Sequence, residues 1–232
     1  MRKIKVIAFI LALILGLILA NVIPFGKVFA GSIKVSFWSD IKGNGQPKSE
    51  KRSVAGFDSV DVGGIFKVEI IAGKNFDVEV VADENLLPYI ETDVKNNVLR
   101  IKTREKISSK NPLLIKVSAP DLKSLDASGV ARVSLVNVNN ESLDVDVSGA
   151  STVDIEGTTR NATIDVSGAS RLNAEKLQTK NANIDASGAS NININVSNEL
   201  SADLSGASSV RYSGSPRSVK KDLSGASSVR GN

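Results

Sequence analysis

The chain has 232 residues, with 29 Lys and Arg against 25 Asp and Glu and a formal net charge of +4. It contains no Cys and no His, which removes disulfides, thiolate nucleophiles and cysteine-ligated metals, together with the commonest general base. The excess charge sits at one end: Arg2, Lys3, Lys5 and Lys27 precede residue 31 with no acidic neighbour, and without those 4 the other 25 basic residues balance the 25 acidic ones. With aromatics at only 4%, neither counterion release nor base stacking is available, so nucleic acid is excluded as a partner.

The first element is apolar. After the basic start, Val6 to Ala20 form an unbroken apolar run of fifteen residues, which predicts a hydrophobic helix. At about 1.5 Å per residue it covers roughly 22 Å, short of a ~30 Å hydrocarbon core. Val28-Phe29-Ala30 before Gly31 has the small-residue form of a signal-peptidase site, which places cleavage between Ala30 and Gly31. Residues 1–30 are read as a signal peptide or an N-terminal membrane anchor. A retained leader would contact the membrane through residues 4–23. Either way the remainder is exported, to the cell envelope or beyond it.

Residues 31–51 turn polar and read as a linker. From 52 to 120 the pattern alternates with period two: Phe66, Val68 and Ile70 share one face while Lys67 and Glu69 share the other, and Phe76 to Val80 repeat the scheme. Gly63-Gly64, Asn96-Asn97 and Ala119-Pro120-Asp121 mark turns between strands. This stretch is read as irregular β coils.

Residues 121–232 are a repeat. The tetrad Asp-x-Ser-Gly occurs six times, starting at Asp126, Asp146, Asp165, Asp185, Asp203 and Asp222, and five copies continue Ala-Ser. The frame apolar-Asp-apolar-Ser-Gly-Ala-Ser puts Val145 and Val147 inward with Asp146 and Ser148 outward. Gly129, Gly149, Gly168, Gly188, Gly206 and Gly225 then permit a sharp bend between two short strands. Coils of about 18–20 residues that cannot bury a face alone must stack, giving an all-β, right-handed, single-stranded parallel β-helix.

In register, the aspartates form a ladder whose neighbours, about 5 Å apart, repel by roughly 3 kcal/mol at an effective dielectric of 20. Calcium between rungs would relieve this, which makes Asp146, Asp165, Asp185, Asp203 and Asp222 candidate ligands. The plainer expectation is that Asp and Ser bond backbone groups at the bend, as in Asx and ST turns. Rows of hydroxyl and carboxylate groups can also hold glycans. Catalysis is disfavoured, because an active site breaks symmetry at one place whereas these carboxylates recur on every rung. No residue is assigned as catalytic or cofactor-binding.

Arg52-Ser-Val-Ala-Gly-Phe57-Asp58, Phe66-Lys-Val-Glu-Ile, Ala82-Asp83-Glu84-Asn85-Leu86-Leu87 and the recurrent Ser-Gly-Ala-Ser resemble the auto-transporter adhesin head GIN domain family over about residues 52–232. That resemblance implies an exported bacterial β-solenoid of adhesin-like role, without catalytic residues. Its partner would be a surface ligand, glycan or protein. End-to-end self-association as an envelope scaffold and envelope-stress signalling are the alternatives, with a polysaccharide-acting enzyme behind them.

Overall fold

The computed structural model describes residues 40–232. The apolar leader, its expected helix and the Ala30–Gly31 cleavage position lie outside the described residues. Among the described residues, no helix is long and apolar enough to cross a membrane.

The chain is nearly all strand. In order run β1 (Ile41–Lys42), β2 (Pro47–Arg52), β3 (Ser59–Gly64), β4 (Lys67–Ala72), β5 (Asp77–Asp83), a 3₁₀ turn (Glu84–Tyr89), β6 (Ile90–Lys95), β7 (Val98–Thr103), β8 (Ile107–Ser108), β9 (Leu114–Ala119) and β10 (Ser124–Gly129). Then come β11 (Arg132–Val147), β12 (Thr152–Val166), β13 (Arg171–Ala186), β14 (Asn191–Leu204), β15 (Ser209–Ser213), β16 (Ser218–Leu223) and β17 (Ser228–Gly231).

The four long strands β11 to β14 each serve two walls of a β-solenoid, one before and one after a corner where the register shifts. Wall A stacks Leu125-Asp126-Ala127 under Val145-Asp146-Val147, Ile164-Asp165-Val166, Ile184-Asp185-Ala186, Ala202-Asp203-Leu204 and Lys221-Asp222-Leu223, all parallel. Wall B stacks Val133, Val153, Leu172, Ile192, Val210 and Val229. The repeats thus wind about five turns. Period-two alternation explains why the inner rows are buried: Leu125, Val147, Val153, Val166, Leu172, Ile184 and Ile192 are fully enclosed. Each such side chain contributes about 1.5–3 kcal/mol.

Two parts of the N-terminal half differ from expectation. The supposed linker supplies strands: β1 pairs in parallel with β8, and β2 pairs antiparallel with β5 from Pro47↔Asp83 to Arg52↔Val78. Its polar composition is that of an exposed edge strand, for which proline and charge suit the outer side of a sheet. The coils of 52–120 are also out of sequence. β7 lies beneath β3 and β9 beneath β4, whereas β10 and β11 continue above β3 and β4. The chain therefore builds one rung, winds the rung below it, then climbs past the first. Antiparallel β6 covers β7, and antiparallel β5 covers β9, so the base is closed by reversed strands.

Candidate binding surface

The recurrent bend organises the surface. The six glycines form a single column: the residue after each donates its amide to the glycine carbonyl one rung below, Ala150 to Gly129, Ala169 to Gly149 and Ala189 to Gly168 at 2.8 Å, Ala207 to Gly188 and Ala226 to Gly206 at 2.7 Å. Their φ values lie between 70 and 83°, the left-handed region. The column starts lower than the repeat count predicts, because the Val130 amide donates to Gly64 at 2.8 Å. The signal for this extra rung was Asp61-Val62-Gly63-Gly64, a copy of the tetrad with glycine in place of serine.

The second serine of the four middle copies turns inward. Ser151, Ser170, Ser190 and Ser208 are buried, and the hydroxyls of Ser190 and Ser208 donate to the carbonyls of Ser187 (2.7 Å) and Ser205 (2.9 Å). The expectation concerned the tetrad serines instead, and of these the Ser128 hydroxyl donates across to the Val62 carbonyl of the rung below at 3.3 Å.

The aspartates form the expected ladder, in register from Asp126 through Asp146, Asp165, Asp185 and Asp203 to Asp222, and it too extends downward to Asp61. Arg100 lies opposite Asp61 on the next rung and ends the row, with its Nε 4.0 Å from the Asp61 carboxylate. The expected Asx bonds do not form: none of the six tetrad carboxylates accepts a hydrogen bond from a described residue, and all six residues are exposed. They stand on straight strand two residues before the bend, where the neighbouring rungs already take the backbone amides. Partial burial and the neighbouring Asp146 and Asp61 push the Asp126 carboxyl up to about 6. Burial and Asp165 raise that of Asp146. The calcium candidates thus stand in single file, and among the described residues no group of three or more acidic side chains is placed to hold a metal ion.

The corner leaving wall B was not singled out by the repeat. Here Asn139, Thr158, Gln178 and Asn195 occupy successive rungs in register. They flank a concavity of about 450 Å³. Its floor holds Thr159 and Thr179, 1% and 2% exposed, beside half-buried Asn140. The Thr159 hydroxyl donates to Asn140 Oδ1 at 2.8 Å, and Asn140 Nδ2 donates to the Leu122 carbonyl at 2.8 Å. Arg160 and Glu141, paired at 2.7 Å, stand on the other flank. An amide ladder runs close by, Asn181 Nδ2 to Asn161 Oδ1 at 2.9 Å and Asn198 Nδ2 to Asn181 Oδ1 at 2.7 Å. A second concavity at the base, lined by Arg52, Glu91, Thr92, Asp93 and Arg104, pairs Arg104 with Glu91 at 2.8 Å and Arg52 with the neighbouring Glu50 at 3.0 Å.

The family described as "Putative auto-transporter adhesin, head GIN domain" matches residues 56–216. Among solved structures, a "putative adhesin" from Bacteroides fragilis NCTC 9343 is similar at 21% identity and TM-score 0.69, over 83% of this chain and 100% of that one. "Putative adhesin" structures from Parabacteroides merdae ATCC 43184 (20%, TM-score 0.56) and Parabacteroides distasonis ATCC 8503 (19%, TM-score 0.57) each match 84% of this chain and 100% of theirs. At such identities the likeness is one of fold. No curated protein matches the chain.

Proposed function

The chain belongs to the auto-transporter adhesin head GIN domain family, and from that premise we propose that it is an exported, non-enzymatic, adhesin-like solenoid that binds at the bacterial cell envelope through its side walls. One observation carries this reading. The outer surface repeats polar groups rung after rung, the same carboxylate from Asp61 to Asp222 on wall A and uncharged amides with one threonine from Asn139 to Asn195 at the corner. Catalysis concentrates an acid, a base and an electrophilic group at one point, whereas contact with an extended ligand uses a surface that is alike along its length.

The apolar leader supports export on physical grounds, since its strongly apolar side chains favour membrane insertion by a few kcal/mol. The test is surface labelling of cells that make the full chain, together with attachment of chain-coated beads to host matrix and to neighbouring cells. Protease added outside intact cells removes the protein, and coated beads attach. A chain that stays protected inside the cell, or that turns over a polysaccharide catalytically, overturns the proposal.

A further inference from the structure

The corner concavity has a chemistry that fits one class of ligand. Its floor is fixed before any ligand arrives: Thr159 and Asn140 are held by the hydrogen bonds given above, the Thr179 hydroxyl donates to the Leu177 carbonyl at 3.5 Å, and the Ser197 hydroxyl donates to the Thr179 carbonyl at 3.1 Å. Along its flank the side chains of Asn139, Thr158, Gln178 and Asn195 make no hydrogen bond to any described residue. Three of them are amides, each offering two donors and a two-lone-pair acceptor. They are spaced by the inter-strand distance, about 4.8 Å, and so span roughly 14 Å over four rungs. That step is close to the length of one hexose in an extended chain.

Other ligands fit less well. No aromatic or large apolar side chain lines the concavity, so an apolar molecule would find nothing to bury against. A peptide strand would need an open sheet edge along the row, but the two middle strands of this corner, β12 and β13, are paired on both sides. Glu141 neutralises Arg160, so a polyanion would meet Lys180 as the one lining cation without an ion-pair partner among the described residues, too little charge for a chain of anions. We propose that the Asn139–Asn195 row binds an uncharged, extended glycan strand laid along the solenoid axis, its hydroxyls matched rung by rung to amides and a threonine hydroxyl. This deepens the surface-binding reading above and rests on it.

The test is titration of the detergent-solubilised full chain with hexasaccharides of glucose, mannose and N-acetylglucosamine. At least one hexasaccharide binds, disaccharides bind at least tenfold more weakly, and added salt leaves the affinity unchanged. Asn139→Ala with Gln178→Ala, both exposed positions, weakens binding tenfold or more while the melting temperature holds. Asp165→Asn on wall A leaves binding as it was. Three results overturn the inference: no hexasaccharide binds although coated beads still attach to matrix or cells; binding is confined to polyanions and lost in salt; or the double variant binds like the parent. Loss of bead attachment as well sinks the surface-binding reading with it.

Discussion

A single atom decides what can stand at the bend. A Cβ added to Gly168 would lie 2.4 Å from the Gly149 carbonyl oxygen, which is itself engaged by the Ala169 amide at 2.8 Å. Neither neighbour can yield, because both belong to the ladder that joins two rungs. The φ of 74° adds strain of about 1–2 kcal/mol for an L side chain. Forced overpacking of this kind costs a further 1–3 kcal/mol. Gly73 provides the contrast, since its φ is 79° but nothing lies within 4 Å of an added Cβ. Gly168→Ala therefore destabilises by about 2–5 kcal/mol and Gly73→Ala by about 1–2 kcal/mol, read from urea midpoints. Equal losses would show that backbone conformation alone, without the close approach, selects glycine in the column. The spacing of the tetrads revealed this column, because one glycine per winding has only one place to go in a stacked coil.

Strand pairing turns isolated aspartates into a coupled row, and its consequence is pH dependence. The Asp126 carboxyl, raised to about 6 by partial burial and by Asp146 and Asp61, binds its proton more tightly folded than unfolded, where about 3.9 is expected. Between those values the native state holds the extra proton, so stability rises as pH falls from 7 through 6. Asp58, Glu79, Asp83, Glu84 and Glu91 act oppositely. Hydrogen bonds from Lys123, Ser49, Ser109, Lys48 and Arg104 respectively hold them low, so the stability they give is lost only as pH drops below the ordinary carboxylate range. The expected profile has a maximum near pH 5. Asp126→Asn flattens the rise between pH 7 and 5, removing about 1 kcal/mol once solvent screening of an exposed carboxylate is allowed for. Melting temperatures across that range check it, and a parent that loses stability steadily from pH 7 to 5 contradicts it. The ladder was legible because Asp recurs in phase with glycine. Its lower end was not, since the 64 residues between Asp61 and Asp126 hold strands that wind downward and back. A local period cannot announce such a detour.

At the scale of the molecule, the question is what happens where the stack of rungs stops. A solenoid exposes strand edges at both ends, and an unprotected edge invites another chain to continue the sheet. The base is blunted by β2, whose Pro47, Lys48, Glu50 and Lys51 are exposed beyond the last pairing. The upper end looks open at first, because Asp203 to Arg211 and Asp222 to Arg230 are identical in sequence. Position along the axis separates them: Leu204 is fully buried, but Leu223, its partner one rung up, is 42% exposed. The residue before the tetrad tells the difference. The inner row reads Leu125, Val145, Ile164, Ile184, Ala202 and then Lys221, whose ammonium turns aside to the Val229 carbonyl at 3.0 Å. A charge at an inward position makes the next rung costly to add, because a covering strand would desolvate it. That lysine was visible in the sequence, yet the consensus letters after it drew attention to the copy rather than to the strand leading into it. The expected outcome is that the parent chain resists end-to-end growth, whereas Lys221→Ile, which completes the apolar row, associates at lower concentration. Sedimentation of both across a concentration series reads this directly. If the parent and Lys221→Ile associate alike, Lys221 is not what closes the upper edge, and the exposed Leu223 sets the contact instead.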